Sequence, residues 1–144
     1  AGVVCFAALQ IKFMFNFDDA LDFMSPVLDR VRYLHGRIGM PGCIQVDVGD
    51  GSATDRPHVE HFRQLWIRSF VGFLRLGDQD LVPVANGEIG FAPELLPPEC
   101  GYALLFPDRD GRLQEEGDRW EQARVLTEIA TSCFSEARAI VGID

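Results

Sequence analysis

The chain has 144 residues, 47% of them hydrophobic and 24% charged, which is the composition of one globular domain spanning residues 1–144 and not of a disordered tail. A net charge of −9 argues against nucleic acid as a partner, because phosphates demand a basic face, and the few basic residues form no run that would suit a membrane surface. The apolar stretch at residues 1–9 falls far short of the roughly 20 residues that cross a bilayer, and Lys12 follows it where a signal peptide would place its charge first.

Residues 2–9 are continuously apolar, as in a strand buried on both faces. A chain whose first residues already read as core strand, without an initiator Met, is expected to have lost something upstream. The run Phe13-Met-Phe-Asn-Phe17 could extend that strand or line a cavity, and its periodicity does not decide. Asp18 is a good N-cap for a helix carrying Leu21, Phe23 and Met24, and Ser25-Pro26 marks either a kink or a fresh start. Residues 31–39 read as a strand whose alternation sets Leu34 and Ile38 on one face and Tyr33, His35 and Arg37 on the other. A polar row behind an apolar one is an unusual way to fill a core. The Gly- and Asp-rich loop at 40–57 is longer than a plain connector requires.

Val59, Phe62, Trp66, Phe70 and Phe73 recur every three or four residues and predict an amphipathic helix over 58–76, ended by Gly77. Residues 81–89 then read as a third strand with Asn86 and Glu88 on one face. The Pro-rich stretch 91–117 is largely irregular, with a short strand expected near 102–106 and a turn at Asp110-Gly111. Asp118 caps a last helix whose apolar face runs Trp120, Ala123, Leu126, Ile129, Ala130, Cys133, Phe134 and Ala137. Strand alternating with helix three times is the pattern of a parallel α/β sheet.

Several motifs invite a metal and fail on spacing. An EF-hand loop from Asp47 would need an acidic or amide residue third and Glu twelfth, where Gly49 and His58 stand, and Asp108-Arg-Asp110-Gly111 fails likewise. His58 and His61 lie on one helical turn with no third ligand at a usual interval, which suggests solvated helix ends. Cys5, Cys43, Cys100 and Cys133 contain no CxxC pair and read as buried free thiols of a reducing cytoplasm.

His35 and Arg37 carry more. They stand near the carboxyl end of their strand, where chemistry gathers in parallel α/β folds, and the long loop follows directly. A structural alternative is a histidine hydrogen-bonded in the core with Arg37 pairing a buried acid. Glu88 occupies the matching place on its own strand, and a buried carboxylate calls for a metal or a cation beside it. His35 plus Glu88 would make half of a divalent-cation site.

The segments Tyr33-Leu-His35-Gly-Arg37-Ile-Gly39 and Gly42-Cys-Ile-Gln45-Val46 resemble the His-x-Arg-x-Gly and Gln-Val segments of bacterial sugar phosphate isomerase/epimerase-like proteins, of the xylose isomerase-like TIM-barrel family. His61-Phe62 through Trp66 is similar to the helix that follows there. Glu88-Ile-Gly90-Phe-Ala-Pro93 resembles the family's Pro-Glu-Phe-Gly-Pro segment, and Asp118-Arg119-Trp120 with the later Cys133-Phe134 its closing helix. The likeness spans residues 31–138.

The resemblance implies a partial (β/α)8 TIM barrel of which this chain holds the last three or so β/α units. It also implies one divalent cation (Mn, Mg, Co or Zn), with His35 and Glu88 as the third and fourth of its ligands. Arg37 and Gln45 would bind a sugar or sugar phosphate, and Glu88 would be the catalytic carboxylate in isomerisation or epimerisation beside a carbonyl. The family's Asp-x-x-His pattern on the preceding strand, whose Asp binds the metal, is met here by Ala7 and Gln10, and the first metal Glu would fall upstream of Ala1, so two of the four expected ligands are missing. A complete barrel needs about 250 residues. A chain of 144 should therefore expose sheet edges and form a homo-oligomer or pair with a partner chain that completes the barrel. Three functions follow: a fragment or degenerate relative of a metal-dependent sugar isomerase or epimerase, a non-catalytic half-barrel binding a sugar or a partner, or a compact interaction domain with a buried polar cluster.

Overall fold

The computed structural model describes residues 3–5, 17–40, 42–54, 56–76 and 88–143, and side chains from Leu21 onward within them. In chain order the elements are β1 (Val3–Cys5), α1 (Phe17–Leu28), β2 (Tyr33–Gly36), α2 (Pro57–Leu76), β3 (Gly90–Pro93), a 3-10 turn (Pro98–Cys100), β4 (Leu105–Pro107), β5 (Leu113–Glu115) and α3 (Arg119–Val141). The first three strands form a parallel sheet in the order β1-β2-β3, and β4 and β5 form a separate antiparallel hairpin. The class is α/β with small sheets. No helix among the described residues is long and apolar enough to cross a membrane.

The alternation read in β2 holds. Leu34 is fully buried beneath the helices, and its register partner Phe91 meets the Trp66 ring edge-on at 5.2 Å between centroids. Tyr33 and His35 occupy the opposite face, beside Gly90 and Ala92. The two glycines show how tight this register is. A Cβ on Gly36 would lie 2.1 Å from the Phe91 ring, and one on Gly90 would lie 2.3 Å from the Tyr33 ring.

The predicted helix 58–76 forms as α2, and Val59, Phe62, Leu65, Trp66, Phe70 and Phe73 are all buried on its stripe. It packs between α1 and α3. Gly72 admits α1 at close range, because a Cβ there would stand 2.5 Å from the Asp29 Cα. Val125, Leu126, Ile129, Ala130, Cys133 and Ala137 of α3 complete the core, each large apolar side chain contributing roughly 1.5–3 kcal/mol by leaving water. Asp118 caps α3 as expected, accepting from the Trp120 and Glu121 amides at 2.8 and 2.9 Å.

Several expectations are corrected. The third strand runs over Gly90–Pro93, which the sequence suggested was irregular; Glu88 and Ile89 precede it, and residues 81–87 lie outside the described residues. Pro93 is tolerated because the amides of Gly90 and Glu94 point to β2, at 3.3 Å from the Arg32 carbonyl and 2.9 Å from that of Gly36, whereas position 93 has the opposite parity. Ser25-Pro26 starts no new helix, since α1 runs through it, and Asp18 falls inside α1. Trp120 is exposed, not part of the apolar face of α3. The thiols differ from one another: Cys133 is buried, Cys43 half-buried and Cys100 exposed, while the Cys5 side chain is outside those described. The Asp110-Gly111 turn forms, with Asp108 accepting from the Asp110 and Arg112 amides and Gly111 at φ 79°.

Candidate functional site

Extending the β2–β3 register one residue beyond its last pair, Gly36 with Pro93, sets Arg37 beside Glu94 at the carboxyl ends of the strands. There the side chains converge. Glu94 Oε2 lies 3.2 Å from His35 Nδ1, and Glu94 Oε1 lies 3.7 Å from Arg37 Nη1. One carboxylate thus bridges the imidazole and the guanidinium. With His35 Nδ1 protonated the hydrogen bond runs to Glu94 and leaves Nε2 as the basic nitrogen.

Arg37 is buried at 7% exposure, and its guanidinium carbon sits 5.1 Å from the centre of the Tyr102 ring. A buried guanidinium held between a carboxylate and an aromatic face has one fixed orientation. Tyr33 meets His35 edge-on at 5.2 Å, restricting the imidazole from its own strand.

Gln45 is buried and acts as a tie between loops. Its Nε2 donates to the Leu96 carbonyl at 3.1 Å, and its Oε1 accepts from the Leu96 amide at 2.7 Å. Its backbone amide donates to the Tyr102 carbonyl, and its own carbonyl accepts from the Leu104 amide. The loop after β2 is thereby stitched to the loop after β3, which carries both Glu94 and Tyr102. The Oε1 and one N–H of the Gln45 amide are engaged in this arrangement, so it positions the neighbouring loop.

Glu88 stands elsewhere. The same register sets it opposite Val31, four residues before His35, or about 13 Å along the strand at roughly 3.3 Å per residue. Its exposed carboxylate borders an apolar cavity of about 510 Å³ at the amino-terminal side, lined by Phe70, Ile89, Phe91, Ala130 and Phe134. The structure therefore brings together His35, Arg37 and Glu94, not His35 and Glu88. Glu94 stands as the first residue past Pro93, and a strand expected at 81–89 points to Glu88 at its end instead. Ala7 and Gln10 lie outside the described residues.

Beyond the cluster, Asp47 fixes the long loop. Its Oδ1 accepts from the Gly49 amide and lies 3.7 Å from Arg56 Nη2, and Glu116 accepts from the Asp47 amide at 3.2 Å. Asp50 accepts from the Ser52 amide at 2.8 Å, so these acids make turns, as their spacing suggested. His61 is buried and meets the Phe62 ring edge-on at 6.0 Å, so it is a packed residue and not a solvated helix end.

His35 Nδ1 and Glu94 Oε2 are as far apart as neighbouring ligands of one ion, each about 2.0–2.2 Å from its centre. That pair fits half of a four-ligand set. Among the described residues no third His, Cys, Asp or Glu joins them. Compared with known proteins, the chain matches no family model, no curated protein and no solved structure.

Proposed function

We propose that this chain is part of, or a degenerate relative of, a divalent-metal-dependent sugar or sugar phosphate isomerase/epimerase of the TIM-barrel type. The observation that carries the reading is the His35–Glu94–Arg37 cluster at the carboxyl ends of adjacent parallel strands, where such enzymes hold substrate. The strand order supports it too. Neighbouring strands follow chain order, and α2 packs between α1 and α3, as in singly wound barrel sectors.

In this reading His35 and Glu94 would hold the cation, with Glu94 in the place expected of Glu88. The cation, when bound, would polarise the sugar carbonyl. Arg37, fixed by Tyr102, donates to a sugar oxygen and orients it. Removal of a proton beside the carbonyl needs a base within hydrogen-bond reach, and Glu94 is the carboxylate this rim presents.

The test is deuterium uptake. Ketoses and aldoses are incubated with the chain in D2O and Mn²⁺, Mg²⁺, Co²⁺ or Zn²⁺, and exchange beside the carbonyl is followed by NMR. Metal-dependent exchange that is lost in His35→Ala supports catalysis. Sugar binding without exchange supports the second reading, a non-catalytic rim. That reading is favoured by the way Glu94 already serves both His35 and Arg37, and Gln45 serves Leu96.

A further inference from the structure

We infer that the ligand of this rim is an uncharged sugar and not its phosphate ester. The inference rests on the sugar reading above and adds the charge of the ligand to it.

Most basic groups on the carboxyl-side loops already face carboxylates. Arg37 is 3.7 Å from Glu94, with Tyr102 covering its guanidinium. Arg56 is 3.7 Å from Asp47 and also donates to the Asp47 carbonyl at 3.3 Å. Arg119 is 2.8 Å from Glu115. Arg109 and Arg112 lie in the hairpin turn among Asp108 and Asp110. Among the described residues, each arginine on these loops thus has a carboxylate partner or acidic neighbours.

A phosphate set against Arg37 would stand equally close to Glu94. Its attraction to one is offset by repulsion from the other, because both interactions fall with distance in the same way. Phosphate sites work differently, gathering several uncommitted N–H donors or a helix N-terminus. The overall charge of −9 adds a long-range repulsion of anions. A polyol faces no such conflict. Glu94 accepts from a hydroxyl, Arg37 donates to its neighbour, and His35 Nε2 gives or takes a third hydrogen bond. Donor and acceptor side by side match vicinal hydroxyls.

The test uses the whole chain in EDTA, so that only its own charges act. D-fructose, D-ribulose and D-xylulose are each titrated beside their phosphate esters by calorimetry, with inorganic phosphate as a further probe. At least one free sugar is expected to bind about tenfold or more tighter than its ester, since the ester adds repulsion and no new pairing. Glu94→Gln should reverse that order by exposing the charge of Arg37. Should Glu94→Gln not fold, Arg37→Gln replaces it and should weaken a free sugar and its ester alike. Tighter binding of the esters by the unmodified chain, no reversal in a folded Glu94→Gln, or loss confined to the esters in Arg37→Gln would overturn the inference while leaving a sugar site in place. Binding of none of the probes by any of these proteins would remove the sugar reading and this inference with it.

Discussion

Replacing Gln45 by Ala tests whether the rim is held by the stitch between its two loops. The change removes two hydrogen bonds to Leu96, at 3.1 and 2.7 Å, from a side chain that is 5% exposed. Each such bond is worth about 1 kcal/mol net, and the abandoned Leu96 amide and carbonyl lose more where water cannot reach them. The expected cost is about 2–3 kcal/mol, a large share of the roughly 5–15 kcal/mol typical of a whole domain. With a urea slope of about 2 kcal/mol/M, the unfolding midpoint should fall by about 1–1.5 M. The Leu96 amide should also lose protection from hydrogen exchange, because Gln45 Oε1 is its acceptor. Gln114, exposed on the β4–β5 hairpin, is the control, and its replacement by Ala should stay within about 0.5 kcal/mol. A Gln45→Ala protein as stable as that control, with Leu96 still protected, would mean that this side chain does not hold the two loops together.

Gly36→Ala would push a methyl 2.1 Å from the Phe91 ring and should cost about 1–3 kcal/mol, partly recovered by adding Phe91→Leu, as read from thermal melts of the single and double variants. Gly90→Ala meets the Tyr33 ring instead, but that ring is 37% exposed and can swing outward, so the loss should stay below about 1 kcal/mol. Burial pushes the Cys133 thiol up to about 11 from its ordinary 9.0. The unfolded chain therefore ionises first, and this stabilising contribution is complete below pH 9 and fades between pH 9 and 11. In native protein at pH 8, iodoacetamide should modify exposed Cys100 readily and Cys133 only after denaturant is added, as followed by peptide mass.

The helices were the readable part of this sequence because their signal is long. The spacing of Val59, Phe62, Trp66, Phe70 and Phe73 allows one helical face, and the core accepts all five. The parity of Tyr33, Leu34 and His35 was equally clear, since a strand with one apolar face has no freedom to slip by a residue. The strand at Gly90–Pro93 was not foreseen because Gly90 and Pro93 are poor strand formers. Tertiary packing of Phe91 on Trp66, together with the space Gly90 leaves for Tyr33, outweighs that local preference. The proximity of Glu94 to His35 was hidden for the same reason, because it depends on a strand that ends at Pro93. Trp120 and His61 exchanged expected environments, because an apolar ring in the first turn of a helix can project past the core while a histidine four residues before Leu65 can sit within it. Pairings between loops, such as Gln45 with Leu96, leave no periodic trace in the sequence.

The proposed site pairs His35 with Glu94 and not with Glu88. The most direct measurement is Mn²⁺-induced broadening of the histidine ring resonances in the NMR spectrum, which detects even weak occupancy and has only three histidines to resolve, His35, His58 and His61. His35 is expected to broaden first, Glu94→Ala to abolish the preference, and Glu88→Ala to leave it unchanged. Broadening of His35 that survives Glu94→Ala and disappears in Glu88→Ala, or no preference for His35 at all, would contradict that pairing.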